Sequence, residues 1–208
     1  MSYTYTANAI KALLIDYIEN NKLIENCVYG NELFYGTKKR QTDLLAVNGY
    51  TTAFEIKSKS DDFRKMREQL DDYKKVFDFQ YLVVHCSHEQ KALKFLKSNE
   101  GFIVLNDNGQ LIIKKQPKII VKQCKIEVLN TIPLSFLKKH FKLGKKYNTG
   151  ADVRKHLQSY LLDDLKSAMR AFLKQRLIPR NQAFREEKGI VTHFEDLKFL
   201  VSFPDRII

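Results

Sequence analysis

The stretch that decides the fold runs from residue 41 to residue 73 and reads QTDLLAVNGYTTAFEIKSKSDDFRKMREQLDDY. Two strand-like segments, at residues 42–47 and 51–58, flank Asn48-Gly49, a dipeptide typical of β-hairpin turns. Residues 61–76 then carry apolar side chains at helical spacing. Because another apolar segment follows at residues 79–86, the pattern predicts a strand, a crossover helix and a second strand of the same sheet.

The same patterns continue on both sides of this stretch. Residues 8–19 have apolar side chains every three or four positions, which predicts an amphipathic helix capped by Asn8. Residues 27–35 alternate as strands do, residues 89–97 predict a helix, and Asn108-Gly109 predicts a second hairpin. The expected order α-β-β-β-α-β-α-β-β indicates an α/β fold, a mixed sheet with helices on its faces.

The pattern changes near residue 129, where strand-type alternation gives way to helical spacing. One long helix is expected over residues 152–175, and Thr192 with Glu195 forms a capping-box pattern before a last helix. We therefore predict an α/β core of residues 1–128 and an all-helical extension of residues 129–208.

Charge and composition narrow the class of protein. The 208 residues include 36 Lys and Arg against 24 Asp and Glu, a net charge of +12. Residues 129–208 carry 16 of these basic residues and only 8 of the acidic ones, so the extension is the more basic part. This balance favours a polyanionic partner such as nucleic acid. Three scattered cysteines and the lack of a long apolar run or leader predict a cytoplasmic protein with no membrane role.

The hairpin positions three charged side chains whose arrangement depends on its register. Glu55 and Lys57 share one face of their strand because side chains alternate. A three-residue loop pairs Val47 with Thr51 and puts Asp43 opposite Glu55, with Cβ atoms about 5 Å apart. A two-residue loop turns Asp43 to the other face. We favour the first register because it gathers the neighbouring apolar residues on one buried face.

Two facing carboxylates repel each other unless a cation neutralises them. Hard oxygen ligands without thiolate or imidazole favour Mg²⁺ or Mn²⁺. Lys57 beside such an ion could hold an attacking water or offset charge on a phosphate. Both contributions favour phosphodiester hydrolysis. The alternative is a plain carboxylate–lysine ion pair on the sheet surface.

A second signal lies on the helix after the lysine strand. Gln69 and Tyr73 are four residues apart and share a face with apolar residues. A glutamine in an apolar stripe needs a polar partner, and the carboxylate site could supply one. The alternative is an ordinary core tyrosine beside a partly exposed glutamine.

These positions together resemble a known motif. In order and spacing they are Asp43, Glu55, Lys57, Gln69 and Tyr73. They resemble the PD-(D/E)XK nuclease superfamily and the QxxxY helix of its RecB-like branch, and the local text is similar to a family of small bacterial and phage proteins within it. The likeness covers about residues 25–115 and implies a restriction-endonuclease-like fold, with the helical tail matched only loosely.

The resemblance also implies roles. Asp43 and Glu55 would bind Mg²⁺ or Mn²⁺ together with the backbone carbonyl of Ile56, and Lys57 would position the attacking water. Gln69 and Tyr73 would support the site or touch the nucleic acid.

The superfamily often adds an upstream glutamate to the ligand set. Glu32 is the first candidate for that ligand here, and Glu25 is the second. Thr42 stands where the motif name has proline, a common departure that leaves the ligands in place.

Basic residues of the extension are candidates for contacts with a phosphate backbone. They are Lys138, Lys139, Lys142, Lys145, Lys146, Arg154 and Lys155. Phe141 and Tyr147 among them could stack on an unpaired base. A solvated basic surface explains the same pattern.

His85-Cys86-x-His88 resembles a fragment of a zinc site, but the sequence offers no fourth ligand nearby. The leading hypothesis is therefore a Mg²⁺-dependent nuclease that acts on nucleic acid, DNA first. The alternative is a nucleic-acid-binding or adaptor protein that keeps the fold without turnover or needs a partner, and the extension could also form a homodimer or bind another protein.

Overall fold

A computed structural model of the protein describes residues 5–144, 146–147 and 149–201. The α-helices are α1 (Ala7–Asn20), α2 (Met66–Tyr73), α3 (Glu89–Leu93), α4 (Lys125–Thr131), α5 (Leu134–His140), α6 (Gly150–Leu157) and α7 (Leu162–Glu187). The strands are β1 (Val28–Asn31), β2 (Phe34–Tyr35), β3 (Arg40–Gln41), β4 (Leu44–Val47), β5 (Thr51–Lys57), β6 (Phe79–His85), β7 (Gly101–Leu105) and β8 (Leu111–Lys115). Short 3₁₀ helices span Cys86–His88 and Phe194–Leu200.

Six strands form one sheet in the order β1-β4-β5-β6-β7-β8, and β2 pairs with β3 in a separate hairpin. The pairs β5/β6 and β6/β7 are parallel and are joined through α2 and α3, while the outer pairs are antiparallel. The predicted class is confirmed: the protein is an α/β fold with a mixed sheet flanked by helices and followed by C-terminal helices.

Both faces of the sheet are buried, each in its own apolar core. On one face Leu44, Ala46, Phe54 and Ile56 pack with Ile10 and the rest of the apolar stripe of α1. This is the grouping that favoured the three-residue hairpin loop, and the observed pairing of Val47 with Thr51 confirms that register.

The opposite face packs against α2 and the C-terminal helices. Leu45, Val47 and Ala53 of the sheet share this core with Leu70 of α2 and Leu173 of α7. The predicted boundary between residues 128 and 129 falls inside α4. The division into a core of residues 1–128 and an extension of residues 129–208 stays a prediction. The packing of the folded chain does not show whether either part folds alone.

The long helix α7 covers the free edge of the sheet at β1. Its Asn181 side chain accepts a hydrogen bond from the Tyr29 amide at 2.7 Å and donates one to the Tyr29 carbonyl at 2.8 Å. The buried Asn181 side-chain amide therefore takes the place of a further strand at this edge. Phe184, farther along the helix, packs in the core on the α1 side of the sheet. The helix thus passes the sheet edge from one core to the other.

Two predictions at the ends of helices are wrong. Thr6, not Asn8, caps α1, because its Oγ1 accepts the Ala9 amide at 3.2 Å. The last helical segment is a 3₁₀ helix capped by His193 and Asp196, since Thr192 instead donates from its amide and hydroxyl to Asp16.

The single long helix predicted over residues 152–175 is also wrong, because the chain breaks between α6 and α7. Lys125 Nζ donates to the carbonyls of Gln158 and Tyr160 and so satisfies oxygens that a continuous helix would have used. Helix α2 likewise begins only at Met66, because Asp61 accepts the Ser58 amide and hydroxyl and holds the preceding residues in a turn.

Within the described part of the chain, every helix is too short or too polar to cross a bilayer.

A buried ion pair gives the first prediction. Asp78 is fully buried, contacts Lys166 Nζ of α7 at 2.7 Å and accepts the amide and hydroxyl of Thr51 at 2.9 Å each. Asp78→Ala leaves the nearly buried Lys166 ammonium without its counterion, so we expect a loss of about 3–5 kcal/mol in urea unfolding. Asp164→Ala, an exposed charge in the first turn of α7, should cost under about 1 kcal/mol. Equal losses in the two variants would contradict this role of Asp78.

Candidate active site

The β4–β5 hairpin brings the two predicted carboxylates together. Leu44 pairs with Phe54, so the next position in the register sets Asp43 opposite Glu55. Asp43 Oδ2 accepts a hydrogen bond from the Ile56 amide at 2.7 Å, which ties the acidic side chain to the neighbouring strand. Both carboxylates therefore lie on the α2 side of the sheet, as the favoured register predicts.

Glu55 is almost fully buried, with 1% of its surface exposed, and its two oxygens have different partners. Oε1 lies 2.8 Å from Lys57 Nζ, and Oε2 accepts a hydrogen bond from the Tyr73 hydroxyl at 2.9 Å. The Oε1 contact is an ion pair without a well-aligned hydrogen bond to any described group. One oxygen of the buried carboxylate thus keeps acceptor capacity for another ligand.

Helix α2 supplies the other two predicted residues. Gln69 Oε1 accepts a hydrogen bond from Lys57 Nζ at 3.1 Å, which is the polar partner that the apolar stripe required. The Tyr73 oxygen also accepts the Asp43 amide at 3.3 Å, so this one hydroxyl contacts both strands. The structure therefore brings all five predicted catalytic positions into one connected network.

Salt bridges behind the network fix the position of α2. Arg67, on the opposite side of the helix from Gln69, contacts the fully buried Glu100 and also pairs with Asp71 at 3.0 Å. This ion pair favours one orientation of the helix because separating the charges leaves the buried Glu100 uncompensated.

Burial and mutual repulsion disfavour charge on both carboxylates. Burial, followed by the nearby charge of Asp43, raises the pKa of Glu55 to about 7, against the opposing effects of Lys57 and Tyr73. Burial also raises the pKa of Asp43, although the Ile56 amide, Lys11 and Lys57 act in the other direction. The cations present only partly offset the two negative charges.

The residues fit a hard divalent cation. Asp43 and Glu55 offer oxygen ligands from adjacent strands, Glu55 Oε1 has unused acceptor capacity, and the charge of the pair is undercompensated. The carbonyl of Ile56, between these side chains in the sequence, stays a predicted ligand.

Glu32 lies next to the site but its carboxylate has another partner. Its amide lies 3.5 Å from the Asp43 carbonyl, whereas its side chain, 46% exposed, contacts Lys11 Nζ at 3.3 Å. Among the described residues, Glu32, Asp43 and Glu55 do not form a three-ligand cluster with oxygens within 4.8 Å. Glu25 lies at the far end of the hairpin, where its carbonyl accepts the side-chain amide of Asn48. Glu32 as a third ligand stays a prediction.

Lys11 is the residue that sequence reasoning missed. It is 3% exposed, donates to Asn31 Oδ1 at 2.9 Å and lowers the pKa of Asp43. Its position in the buried stripe of α1 with Leu14, Ile15 and Ile18 was a usable signal, because a lysine buried in an apolar stripe needs an acidic or carbonyl partner.

The predicted nucleic-acid contacts lie on α5, α6 and the segment between them. Lys138 and Lys139 are on α5, Lys142 and Lys146 follow it, Arg154 and Lys155 are on α6, and Lys145 lies outside the described residues. Most of these side chains are exposed, and residues 133–158 include one acidic residue, Asp152.

Three residues in this region also have structural roles. Arg154 donates to the carbonyls of Gly150 and Ile132, so it also joins α6 to the end of α4. Phe141 packs edge-on against Tyr160, and Tyr147 stacks on His156 with ring centroids 4.6 Å apart. Both aromatic rings therefore contribute to packing.

The raised pKa of Glu55 predicts how stability depends on pH without metal. The pKa of Glu55 is about 7 in the folded protein, whereas its ordinary value is 4.5. Proton binding to Glu55 therefore stabilises the fold fully below pH 4.5, and this contribution is lost as the pH rises from 4.5 to about 7. Glu55→Gln keeps an acceptor for Tyr73 and does not ionise. In EDTA, the Tm difference between Glu55→Gln and wild type should grow over this pH range in favour of the variant, whereas the exposed Glu195→Gln should show no such trend. Parallel pH curves for wild type and Glu55→Gln would contradict this.

Known proteins similar to this chain include a phage protein and a bacterial one. Among curated proteins, Protein cII of Enterobacteria phage P4 is 28% identical over 103 residues, which are 50% of this chain and 39% of that relative. The match thus spans about two fifths of the relative's length. Among solved structures, the SPO1766 protein of unknown function from Silicibacter pomeroyi matches with 12% identity and a TM-score of 0.39, over 91% of this chain and 95% of that one. A likeness this remote supports no structural or functional conclusion.

The family match extends over most of the sequence. Residues 2–201 match the family model described as Bacteriophage P4 protein cII. The protein therefore belongs to the bacteriophage P4 protein cII family.

Proposed function

We propose that the protein is a metal-dependent nuclease of PD-(D/E)XK type, which hydrolyses phosphodiester bonds of nucleic acid, DNA in the first instance. The observation that carries the proposal is the pair of carboxylates on adjacent strands, Asp43 and Glu55, with Lys57 at 2.8 Å from one of them. The names of the family and of the relatives state no activity, so the proposal rests on the motif and on this geometry.

Each residue of the network has a chemical task in this reaction. Asp43 and Glu55 would hold Mg²⁺ or Mn²⁺, with the Ile56 carbonyl as a further ligand. When bound, such an ion lowers the pKa of a water molecule and stabilises negative charge on the phosphate. Lys57 positions the attacking water or offsets phosphate charge, and Gln69 orients its ammonium through the 3.1 Å hydrogen bond.

Tyr73 has a positioning task. Its hydroxyl holds Glu55 and the Asp43 backbone at the same time, and burial together with the nearby Glu55 raises its pKa, so it stays a protonated donor. Loss of this hydroxyl frees the two carboxylates to separate.

The basic residues of α5 and α6 form the proposed binding surface for nucleic acid. Exposed lysines with almost no acidic neighbours attract a phosphate backbone and release its condensed counterions. This proposal places the protein in the cytoplasm, where nucleic acid is available to it.

One observation favours the alternative, a nucleic-acid-binding or adaptor protein without turnover. Lys57 already pairs with Glu55 within a connected hydrogen-bonded network, which can stabilise the fold in the absence of a reaction. In that case the helical extension would act through nucleic acid, a homodimer or another protein partner.

Cleavage of nucleic acid separates the two functions. We expect degradation of at least one substrate among single-stranded, duplex and branched DNA with Mg²⁺ or Mn²⁺, and none in EDTA. Lys57→Ala should lower the rate by about 10²–10³-fold, the typical cost of one electrostatic group at a reacting centre. Lys59→Ala, an exposed lysine two residues away, should retain the rate.

The controls make the assay decisive. Asp43→Asn keeps the size of the side chain and should lower cleavage at least as much as Lys57→Ala does, whereas the exposed Asp62→Asn should not. If RNA alone is cleaved, the proposed substrate changes from DNA to RNA. Metal-independent binding with no cleavage of any nucleic acid would contradict the proposal of a nuclease.

Neutralising part of the basic surface tests the proposed binding mode. Lys139→Gln, Lys142→Gln and Lys155→Gln together should weaken duplex binding and flatten the plot of log affinity against log salt by roughly 0.9 for each phosphate that the variant no longer neutralises. The matched control removes the same charge at Lys94, Lys118 and Lys122, which are exposed elsewhere. If both triple variants lose affinity equally, binding reflects net charge and not this surface.

A further inference from the structure

A second group of metal-ligating side chains lies at the carboxyl end of β6. His85 Nε2 is 3.4 Å from Asp107 Oδ1, and Cys86 Sγ is 3.5 Å from Asp107 Oδ2. One ligand atom from each of these residues lies within 4.8 Å of the other two. None of them contacts Asp43 or Glu55, so the cluster is separate from the candidate active site.

The spacing of these side chains is close to that of a zinc site. Zinc lies about 2.0–2.1 Å from nitrogen or oxygen ligands and about 2.3 Å from sulfur. At tetrahedral angles, these bond lengths place nitrogen and oxygen about 3.4 Å apart and sulfur and oxygen about 3.6 Å apart. The observed separations are 3.4 Å from His85 Nε2 to Asp107 Oδ1 and 3.5 Å from Cys86 Sγ to Asp107 Oδ2. A rotation of the exposed Asp107 carboxylate would bring one of its oxygens to both ligands. The side chains thus need little rearrangement to share one ion.

The donor set also selects the kind of metal. A thiolate, an imidazole and a carboxylate suit zinc, whereas magnesium prefers oxygen ligands alone. His88, which the sequence pattern suggested, is not part of the group, because its Nε2 lies 3.1 Å from the carbonyls of Ser58 and Lys59. Asp107, from the turn between β7 and β8, replaces it.

The surroundings of His85 are compatible with a metal on Nε2. Its other ring nitrogen, Nδ1, lies 3.0 Å from Ser87 Oγ, which can accept the Nδ1 proton of a metal-bound imidazole. The Ser87 amide also donates to Nδ1 at 3.2 Å, so a metal on Nε2 requires Nδ1 to give up this contact and donate to the hydroxyl. Asp107 is 80% exposed, which leaves the site open to an ion from solvent.

We propose that His85, Cys86 and Asp107 form a zinc site whose fourth position is taken by water. Cys86 binds as the thiolate and releases its proton to solvent. The ion joins the end of β6 to the β7–β8 turn. His88, two residues after Cys86, contacts the carbonyls of Ser58 and Lys59 in the loop that directly follows Lys57.

Cobalt(II) as a spectroscopic substitute for zinc tests the site directly. The full chain, stripped with EDTA and kept reduced, should show a thiolate-to-cobalt absorption band that saturates at one equivalent and disappears when Zn²⁺ is added. The oxygen ligands of Asp43 and Glu55 cannot produce such a band. Its presence or absence is therefore independent of nuclease activity.

Matched variants assign the ligands. Cys86→Ser should abolish the band, and Cys124→Ser, which removes another half-buried thiol, should keep it. Asp107→Asn, at an exposed turn where folding is not at risk, should weaken cobalt affinity at least about tenfold, since loss of even an outer-shell partner has that effect. No band in wild type, or an undiminished band in Cys86→Ser, would overturn the proposal.

Discussion

The structure depends on two acidic side chains of neighbouring strands that are buried side by side. Like charges in a desolvated position repel, so the surrounding elements each contribute something that makes the pair tolerable. Lys57 supplies an ammonium from the same strand, Tyr73 a hydroxyl from the crossover helix, and Lys11 a second ammonium from the N-terminal helix. A divalent ion would complete this compensation, which is the basis of the proposed metal-dependent hydrolysis.

The rest of the fold holds these groups at fixed distances. The ion pair of Arg67 with Glu100 holds the crossover helix in place. The strand that carries Glu55 and Lys57 begins at Thr51, whose amide donates a hydrogen bond to Asp78. Asp78 is in turn paired with Lys166 of the long C-terminal helix. Helix α7 is therefore part of the same packed structure as the candidate site, through contacts that no local pattern reveals.

Short-range periodicity predicted a mixed sheet and the hairpin register, and together with the family resemblance it indicated the five network residues. The strand expected over residues 27–35 is instead two strands, β1 and β2, in different sheets. Alternation along the strands determined which side Asp43 faces, and a glutamine inside an apolar stripe indicated a polar partner, found at Lys57. What could not be predicted depends on residues distant in sequence. Lys125 contacts the chain at the break after α6, and Asp107, beside His85 and Cys86, comes from another turn.

Anomalous diffraction from crystals soaked in Mn²⁺ is the most direct measurement of the central claim. We expect a manganese peak bound jointly by Asp43 and Glu55, with Lys57 still beside them. Well-ordered side chains with no peak at this position, and the Lys57 ammonium alone between the carboxylates, would contradict it.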